Sequence, residues 1–168
     1  MGGQTSPAVD DEYVYISGRV IDKKSGLEVY AFSMQGMDPI VLDDQHFYFT
    51  ARDSLCAVEK KTWKKKWAVP IPPGLWNNLY GGCTAVTDKT ITFVLWANLP
   101  AQAAIYTLNK ENGQELWHHA FAGQGVYKPT IANGIVYVVT YNDGILWGFD
   151  WMTGEIKLKE TSRAYNEC

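Results

Sequence analysis

A unit of short apolar strands recurs four times along the chain, and this repeat constrains the fold more than any other feature. Each unit opens with two apolar runs separated by a polar break. The residues before the breaks lie 33, 44 and 45 positions apart and are Val9, Leu42, Val86 and Ile131. A second pair of runs follows in each unit, as VYAFSMQG, LCAVEKKTWKKKW, IYTLNKENGQELW and LWGFDWMTGEIKL. Four strands in roughly 40 residues is the period of a β-propeller blade.

The composition agrees with an all-β domain. A chain of 168 residues can build one compact core, and its 46% apolar and 20% charged residues exclude global disorder. Seven Trp and ten Tyr favour sheets. No window shows a helical period, so we expect almost no helix. A net charge of -3 gives no general attraction to nucleic acid, which is not an expected partner.

The turns differ between units. Asn112-Gly113 predicts a type I′ hairpin, because that turn needs positive φ at both central residues. The second unit has Trp63 where the turn glycine belongs, which predicts a different hairpin. The first unit runs from VYAFSMQG directly into the next, so its outermost strand is expected to be shortened or absent.

The units resemble the PQQ-like repeats of the quinoprotein dehydrogenase-type β-propellers. Those blades read P-x-V-x-x-G-x-V-Y-V and then L-Y-A-L-D-x-x-T-G-x-x-L-W, and PTIANGIVYVVT with LWGFDWMTGEI is similar to both parts. The resemblance implies an all-β β-propeller, or propeller arc, of about four antiparallel four-stranded blades with the first blade incomplete. We expect a single domain over 1–168 with blades at roughly 7–37, 38–80, 81–125 and 126–162. It further implies that Trp67 and Trp117 dock against neighbouring blades.

No pattern in the sequence predicts a catalytic residue, a metal site or a cofactor. The enzymes of the resembled family hold pyrroloquinoline quinone with an Asp base, calcium ligands and often two adjacent cysteines. This chain has no adjacent cysteines, and half a ring cannot enclose a cofactor. Consecutive histidines, His118-His119, point to opposite faces of a strand. A role in turns explains the acidic pairs, which recur at one place in two units, as Asp10, Asp11, Asp43 and Asp44.

The cysteines and the N-terminus bear on the compartment. Cys56, Cys83 and Cys168 are odd in number and lack CxxC spacing, so neither a disulfide framework nor a zinc site is expected. Without a secretory apolar segment this favours the cytoplasm, although the resembled family is often extracytoplasmic, and the localisation stays open. MGGQTS fits the myristoylation pattern at Gly2, but Pro7 is unfavourable there, and membrane contact is not expected.

The most basic segment is the hairpin at 59–67. Lysines interleaved with tryptophan suit glycans, phosphates or lipid head groups, although lysines also protect edge hairpins from aggregation. The loop at 70–82 offers two further aromatic contacts. The candidate binding residues are Lys61, Trp63, Lys64, Lys65, Lys66, Trp76 and Tyr80.

An incomplete ring predicts a partner. An open blade face of several hundred Å² at ~25 cal/mol per Å² forfeits on the order of 10 kcal/mol. We therefore expect a non-enzymatic interaction scaffold that binds a protein partner or a second copy completing a ring, with the homodimer favoured over closure of four blades. The alternatives are a fragment of a PQQ-dependent dehydrogenase and a glycan or phosphate-head-group module that uses the 59–67 hairpin.

Overall fold

The computed structural model describes residues 7–34, 40–51, 53–72, 83–98, 101–122 and 125–161. These residues form sixteen β-strands, and no part of them is helical. The strands of the first half are β1 Ala8–Val9, β2 Tyr13–Ile16, β3 Arg19–Asp22, β4 Glu28–Ala31, β5 Val41–Leu42, β6 His46–Thr50, β7 Ser54–Glu59 and β8 Lys65–Pro70. Those of the second half are β9 Cys83–Val86, β10 Thr90–Asn98, β11 Ala101–Asn109, β12 Glu115–Ala122, β13 Thr130–Ala132, β14 Ile135–Val139, β15 Ile145–Asp150 and β16 Ile156–Thr161.

The strands form four antiparallel sheets, each built from four consecutive strands in chain order. Consecutive strands pair because short hairpins reverse the chain, and β-branched and aromatic residues fill the pleated faces. We call the sheets blades one to four. The prediction of an all-β fold of four antiparallel four-stranded blades is confirmed, whereas the assignment of the whole chain to one domain stays a prediction.

The first blade has all four strands, which contradicts an absent outermost strand, whereas the expected shortening of that strand is confirmed. The third strand of this blade is β3, and the residues VYA of the VYAF run belong to its fourth strand, β4. The reason is a two-residue turn at Ser17-Gly18, where both residues have positive φ, of 48° and 79°, so that the chain reverses earlier than the apolar pattern indicates. Only the length differs, because β4 has four residues and β8, β12 and β16 have six to eight.

The hairpin between the third and fourth strands has the same geometry in every blade. One residue takes a left-handed conformation and donates its amide to the carbonyl four positions earlier, at 2.9 Å in each case. We call it the turn residue, and the four are Gly26, Trp63, Gly113 and Gly154, with φ of 72°, 57°, 74° and 72°.

Two predictions about these hairpins are wrong. Trp63 adopts the glycine-like conformation and keeps the common hairpin instead of forming a different one. The turn at Asn112-Gly113 is not type I′, because five residues separate β11 from β12 and only Gly113 has positive φ.

The described residues form three apolar clusters, one between each pair of consecutive blades. The first joins Tyr15 and Val20 of blade one to Phe47 and Val58 of blade two, all at most 1% exposed. The second and third clusters join blades two and three and blades three and four in the same way. No cluster among the described residues joins blade four to blade one. Within the described ranges, the blades therefore pack as a row with three junctions, and the far faces of blade one and blade four are its outer faces.

Candidate functional site

A short turn joins the first two strands of each blade, and an aspartate holds it in blades one and two. Asp10 Oδ1 accepts the backbone amides of Glu12 and Tyr13 at 3.0 and 2.8 Å. Asp43 Oδ1 accepts the backbone amides of Gln45 and His46 in the same way, at 2.8 and 2.7 Å. The predicted turn role of these two aspartates is confirmed, and it uses only one oxygen of each carboxylate.

The second oxygen of Asp10 binds across the first junction. Oδ2 accepts the Tyr15 hydroxyl and the Lys60 ammonium, each at 2.9 Å, and Lys60 lies in the hairpin of blade two. Burial opposes ionisation of Asp10, but the bonds from Lys60, Tyr15 and the turn amides outweigh it and lower its pKa. Burial, and then the bond to this carboxylate, raises the pKa of Tyr15. Asp10 is therefore a charged clamp between two blades.

Asp43 repeats the arrangement at the second junction. Its Oδ2 accepts the Tyr48 hydroxyl at 2.8 Å and the ammonium of Lys110, from blade three, at 3.1 Å. Burial again opposes ionisation, but the bonds from Tyr48, from the amides of Gln45 and His46 and from Lys110 lower the pKa of Asp43 to about 2. The carboxylate is therefore ionised at neutral pH and carries no proton to donate.

The third junction lacks all three of these residues at once. Thr87 replaces the aspartate and holds the turn by accepting the amide of Thr90 at 2.8 Å. Thr92 stands where the tyrosine would be and contacts Thr107 at 2.9 Å. Trp151 occupies the position of the lysine. Because carboxylate, phenol and ammonium are present together or replaced together, we treat them as one device for joining blades.

A second contact crosses the junctions at the fourth strand. The residue four positions after each turn residue, here called the closing residue, faces the next blade. At the second junction Trp67 donates its indole N–H to the Lys110 carbonyl at 2.9 Å and covers Gly113, where an added Cβ would lie 2.9 Å from the ring. At the third junction Trp117 donates its indole N–H to the Trp151 carbonyl at 3.0 Å. Its ring covers Gly154, where an added Cβ would lie 2.7 Å from the ring. Both tryptophans are 8% exposed.

The first junction uses a different pair at the same two positions. The closing residue is Tyr30, and it stacks on the turn residue Trp63 with ring centroids 5.4 Å apart and planes 14° apart. Trp63 also meets Tyr13 edge to face at 5.1 Å. A large turn residue is thus met by a smaller closing residue, which keeps the junction filled.

These contacts use part of the lysine hairpin. Trp63 is packed between blades, and Lys66 donates to Glu111 of blade three at 2.7 Å. The other candidate lysines are exposed, namely Lys61, Lys64 and Lys65. Trp76 and Tyr80 lie outside the described residues. The ligand-binding role of these residues stays a prediction.

Open clefts lie beside the first two junctions. The first, of about 710 Å³, is lined by Asp10, Asp11, Asp43, Asp44, Lys60 and Lys61, among others. The second, of about 610 Å³, repeats this arrangement around Asp43, Asp88, Lys110 and Glu111. Within the described ranges, no group of three or more His, Cys, Asp or Glu residues is placed to hold a metal ion.

The consecutive histidines lie on opposite faces of β12. His118 is exposed and contacts Glu115 at 2.7 Å. His119 faces blade four and packs against Trp147 and Phe149, with ring centroids 5.3 and 5.0 Å away. Burial, followed by the charge of Lys159, lowers the pKa of His119, which favours its neutral form. Neither histidine can act with the other on one ligand.

Cysteine 56 is buried in the first junction at 1% exposure. Burial raises the pKa of its thiol. Cys83 belongs to β9, and Cys168 lies outside the described residues.

Residues 63–163 match a family model described as outer membrane protein assembly factor BamB, and this match covers more than half of the chain. The chain belongs to this PQQ-like β-propeller family. BamB from Moraxella catarrhalis has a similar structure, with a TM-score of 0.72 and 15% identity over 96% of this chain and 51% of that one. Quinohemoprotein alcohol dehydrogenase from Comamonas testosteroni gives 0.77 and 17% over 95% and 35%. The computationally designed Ika4 protein gives 0.64 and 14% over 89% and 93%.

The structural similarity to these proteins shows the fold alone, because the sequence identities are below 20%. The chain spans about half the length of that BamB and about a third of that dehydrogenase. The PQQ-like fold is thus shared by an assembly factor and by enzymes. No curated protein matches the chain. No helix in the described part of the chain is long and apolar enough to cross a membrane.

Sequence reasoning named Trp67 and Trp117 as residues that join the PQQ-like blades, but it missed the aspartate, tyrosine and lysine side chains that join them. Asp10 and Asp43 are each followed five positions later by a tyrosine, and this spacing is the signal that could have shown a shared device. The lysine partners lie three positions before the turn residues, at Lys60 and Lys110. Blade one carries Lys23 at the same position, and this correspondence was hidden because β3 was overlooked.

Proposed function

We propose that the chain is a non-enzymatic interaction scaffold that binds a protein partner through the outer face of blade one. The observation that carries this proposal is a contrast between the two kinds of surface in the row of blades. The ionised groups beside the junctions are occupied in joining blades, whereas the outer face of blade one presents apolar side chains to solvent.

The junction groups are poorly suited to catalysis. Both oxygens of Asp10 and of Asp43 already accept hydrogen bonds, and the pKa of each carboxyl is lowered. A general base works best with a pKa near the operating pH, so these carboxylates are weak proton acceptors. Their lysine partners, Lys60 and Lys110, are 12% and 14% exposed and are held in ion pairs.

The outer face of blade one matches a face that is buried elsewhere. Val14 and Ile21 pair across β2 and β3, and they occupy the positions that Phe47 and Val58 take in blade two. The blade-two pair is at most 1% exposed, whereas Val14 and Ile21 are partly exposed. Val9 beside them is 53% exposed. Exposed apolar surface grouped on one face is typical of a protein-binding site.

Family membership supports a protein partner. The matching model is described as an outer membrane protein assembly factor, and the structure of such a factor superposes on 96% of the chain. We extend the role in protein assembly, at the level of binding another protein, from that family description to this chain.

Site-specific photo-crosslinking tests the proposal. A benzophenone amino acid replaces Val9 in cells that make the protein, and a matched protein carries it in place of Glu155, which is exposed in the hairpin of blade four. We expect a saturable protein adduct from position 9 that position 155 does not form. Equal adducts from both positions would contradict the proposal. So would dye reduction by the purified protein with pyrroloquinoline quinone and calcium.

A further inference from the structure

At the second junction, Lys110 and Gly113 of blade three receive Asp43 and Trp67 of blade two, and we call such a lysine–glycine pair a socket. We propose that Lys23 and Gly26, on the outer face of blade one, form an unoccupied copy of this socket. Its occupant is a PQQ-like blade of a partner polypeptide with two features. That blade has tryptophan as its closing residue and, at its first turn, an aspartate followed five positions later by a tyrosine. This inference deepens the proposed function and rests on it, because it names the chemistry of the protein that binds.

Gly26 is the first part of the socket. Its φ of 72° matches the 74° of Gly113 and the 72° of Gly154, and its amide makes the same 2.9 Å bond. The surroundings differ, because no described atom lies within 4 Å of a Cβ added at Gly26. At Gly113 and Gly154 a tryptophan ring lies 2.9 and 2.7 Å from that point. Gly26 therefore has the backbone geometry of the two glycines that tryptophan covers, but no described tryptophan ring packs against it.

Lys23 is the second part of the socket. It lies three positions before its turn residue, as Lys60 and Lys110 do. Those two lysines bind the aspartate of the preceding blade at 2.9 and 3.1 Å. Lys23 is exposed, and its ammonium contacts the Asp10 carbonyl of its own blade at 3.1 Å. A carboxylate from an incoming blade would give it the charged partner that the other two lysines have.

The apolar residues around Gly26 complete the surface. Leu27 is 67% exposed directly beside the glycine, and Val29 on β4 is 42% exposed. Tryptophan with a satisfied N–H is a common anchor at protein interfaces.

A second copy of this chain does not present the matching residues. The outer face of blade four has Leu158 as its closing residue, opposite Gly148, and Ala132 at the position of the turn aspartate. Only Tyr137 of the required set is present. The socket therefore fits a blade other than blade four, and pairing of two identical copies is disfavoured.

The test gives one copy of the chain the missing residues. The presenter carries Ala132→Asp and Leu158→Trp, and its own socket is closed by Lys23→Glu and Gly26→Asn, since asparagine tolerates positive φ. Binding of this presenter to the wild-type chain is measured by titration calorimetry and sedimentation equilibrium. The matched control presenter carries only the two socket substitutions. In the receiver control, the wild-type chain is replaced by the chain that carries only Lys23→Glu and Gly26→Asn.

We expect the presenter to bind the wild-type chain at least tenfold more tightly than the control presenter does, and we expect closure of the receiver's socket to remove this gain. Equal affinities of both presenters for the wild-type chain would overturn the inference. So would an affinity of the presenter that is unchanged when the receiver carries Lys23→Glu and Gly26→Asn. Dimerisation of the wild-type chain that socket closure abolishes would also overturn it, because the occupant would then be a second copy. Circular dichroism checks folding, and a presenter with Leu158→Trp alone supplies the test if the full variant does not fold.

The two proposals fail separately. If crosslinks form at position 9 but the presenter does not bind, the outer face takes a partner of another chemistry and only the socket is rejected. If position 9 forms no specific adduct, the proposed function is rejected, while presenter binding would still report the geometry of the socket.

Discussion

Tyr30 of blade one stacks on Trp63 of blade two, at the position where Trp67 and Trp117 each cover a glycine in the following blade. The two residue types are exchanged together at this junction. A bulky turn residue is paired with tyrosine, and a glycine is paired with tryptophan. The closing residue of one blade and the turn residue of the next therefore form one packing unit.

Substitution of the turn glycines distinguishes steric contact from backbone strain. Gly113→Ala and Gly154→Ala place a methyl group 2.9 and 2.7 Å from a tryptophan ring, whereas Gly26→Ala has the same φ and open space. We expect Gly26→Ala to lower the free energy of unfolding by about 1 kcal/mol from left-handed strain alone. The other two are expected to lower it by a further 1–3 kcal/mol, roughly, from overpacking.

Urea denaturation of the three alanine variants measures these differences. Equal losses at Gly26 and at Gly113 would show that the tryptophan contact adds nothing to the backbone effect.

The Asp43 clamp predicts a pH dependence of stability. Because folding lowers the pKa of Asp43 from 3.8 to about 2, its contribution is fully present above pH 3.8 or so and is lost as the pH falls towards 2. A shift of this size corresponds to about 2 kcal/mol. The stability difference between the wild type and Asp43→Asn should therefore shrink by about that amount between pH 5 and pH 2.

The neighbouring exposed carboxylate gives the control for this experiment. Asp44→Asn should keep a nearly constant difference from the wild type over the same range. A constant difference for Asp43→Asn as well would contradict the clamp.

The ion pair of the first junction predicts energetic coupling between two blades. Asp10→Asn keeps an oxygen for the turn amides but loses the charge that binds Lys60 at 2.9 Å. A double-mutant cycle with Lys60→Met should give a coupling of roughly 1.5 kcal/mol, because the bond is charge-assisted and partly buried. The control is the exposed pair Glu155–Lys157, whose atoms are 2.6 Å apart and whose coupling should be near zero. Equal coupling in both cycles would show that burial at the junction does not matter.

The strands were predictable from sequence because period-two alternation and turn residues report local structure directly. The third strand of blade one was missed because RVID follows β2 after only two residues, and a separation so short is hidden in a continuous apolar run. The common hairpin at Trp63 was missed because propensity alone excludes tryptophan from positive φ. Stacking on Tyr30 and on the first-junction core provides the compensating contact, and that contact is visible only in three dimensions.

The candidate site was less predictable than the fold. The lysine hairpin stood out by composition, yet Lys60 and Lys66 form ion pairs with other blades. The socket residues Lys23 and Gly26 are individually ordinary, and only their superposition on Lys110 and Gly113 shows what they share.

A swap cycle at the first junction tests the pairing of closing and turn residues most directly. Trp63→Gly removes the stacking partner of Tyr30, and Tyr30→Trp places a larger ring against Trp63, so each single change should lower the free energy of unfolding by about 2 kcal/mol or more. The double variant recreates the tryptophan–glycine pair of the other two junctions. Its free energy of unfolding, measured by urea denaturation, should exceed the additive expectation by at least 1 kcal/mol or so. An additive double variant would contradict the account, because closing and turn residues would then contribute independently.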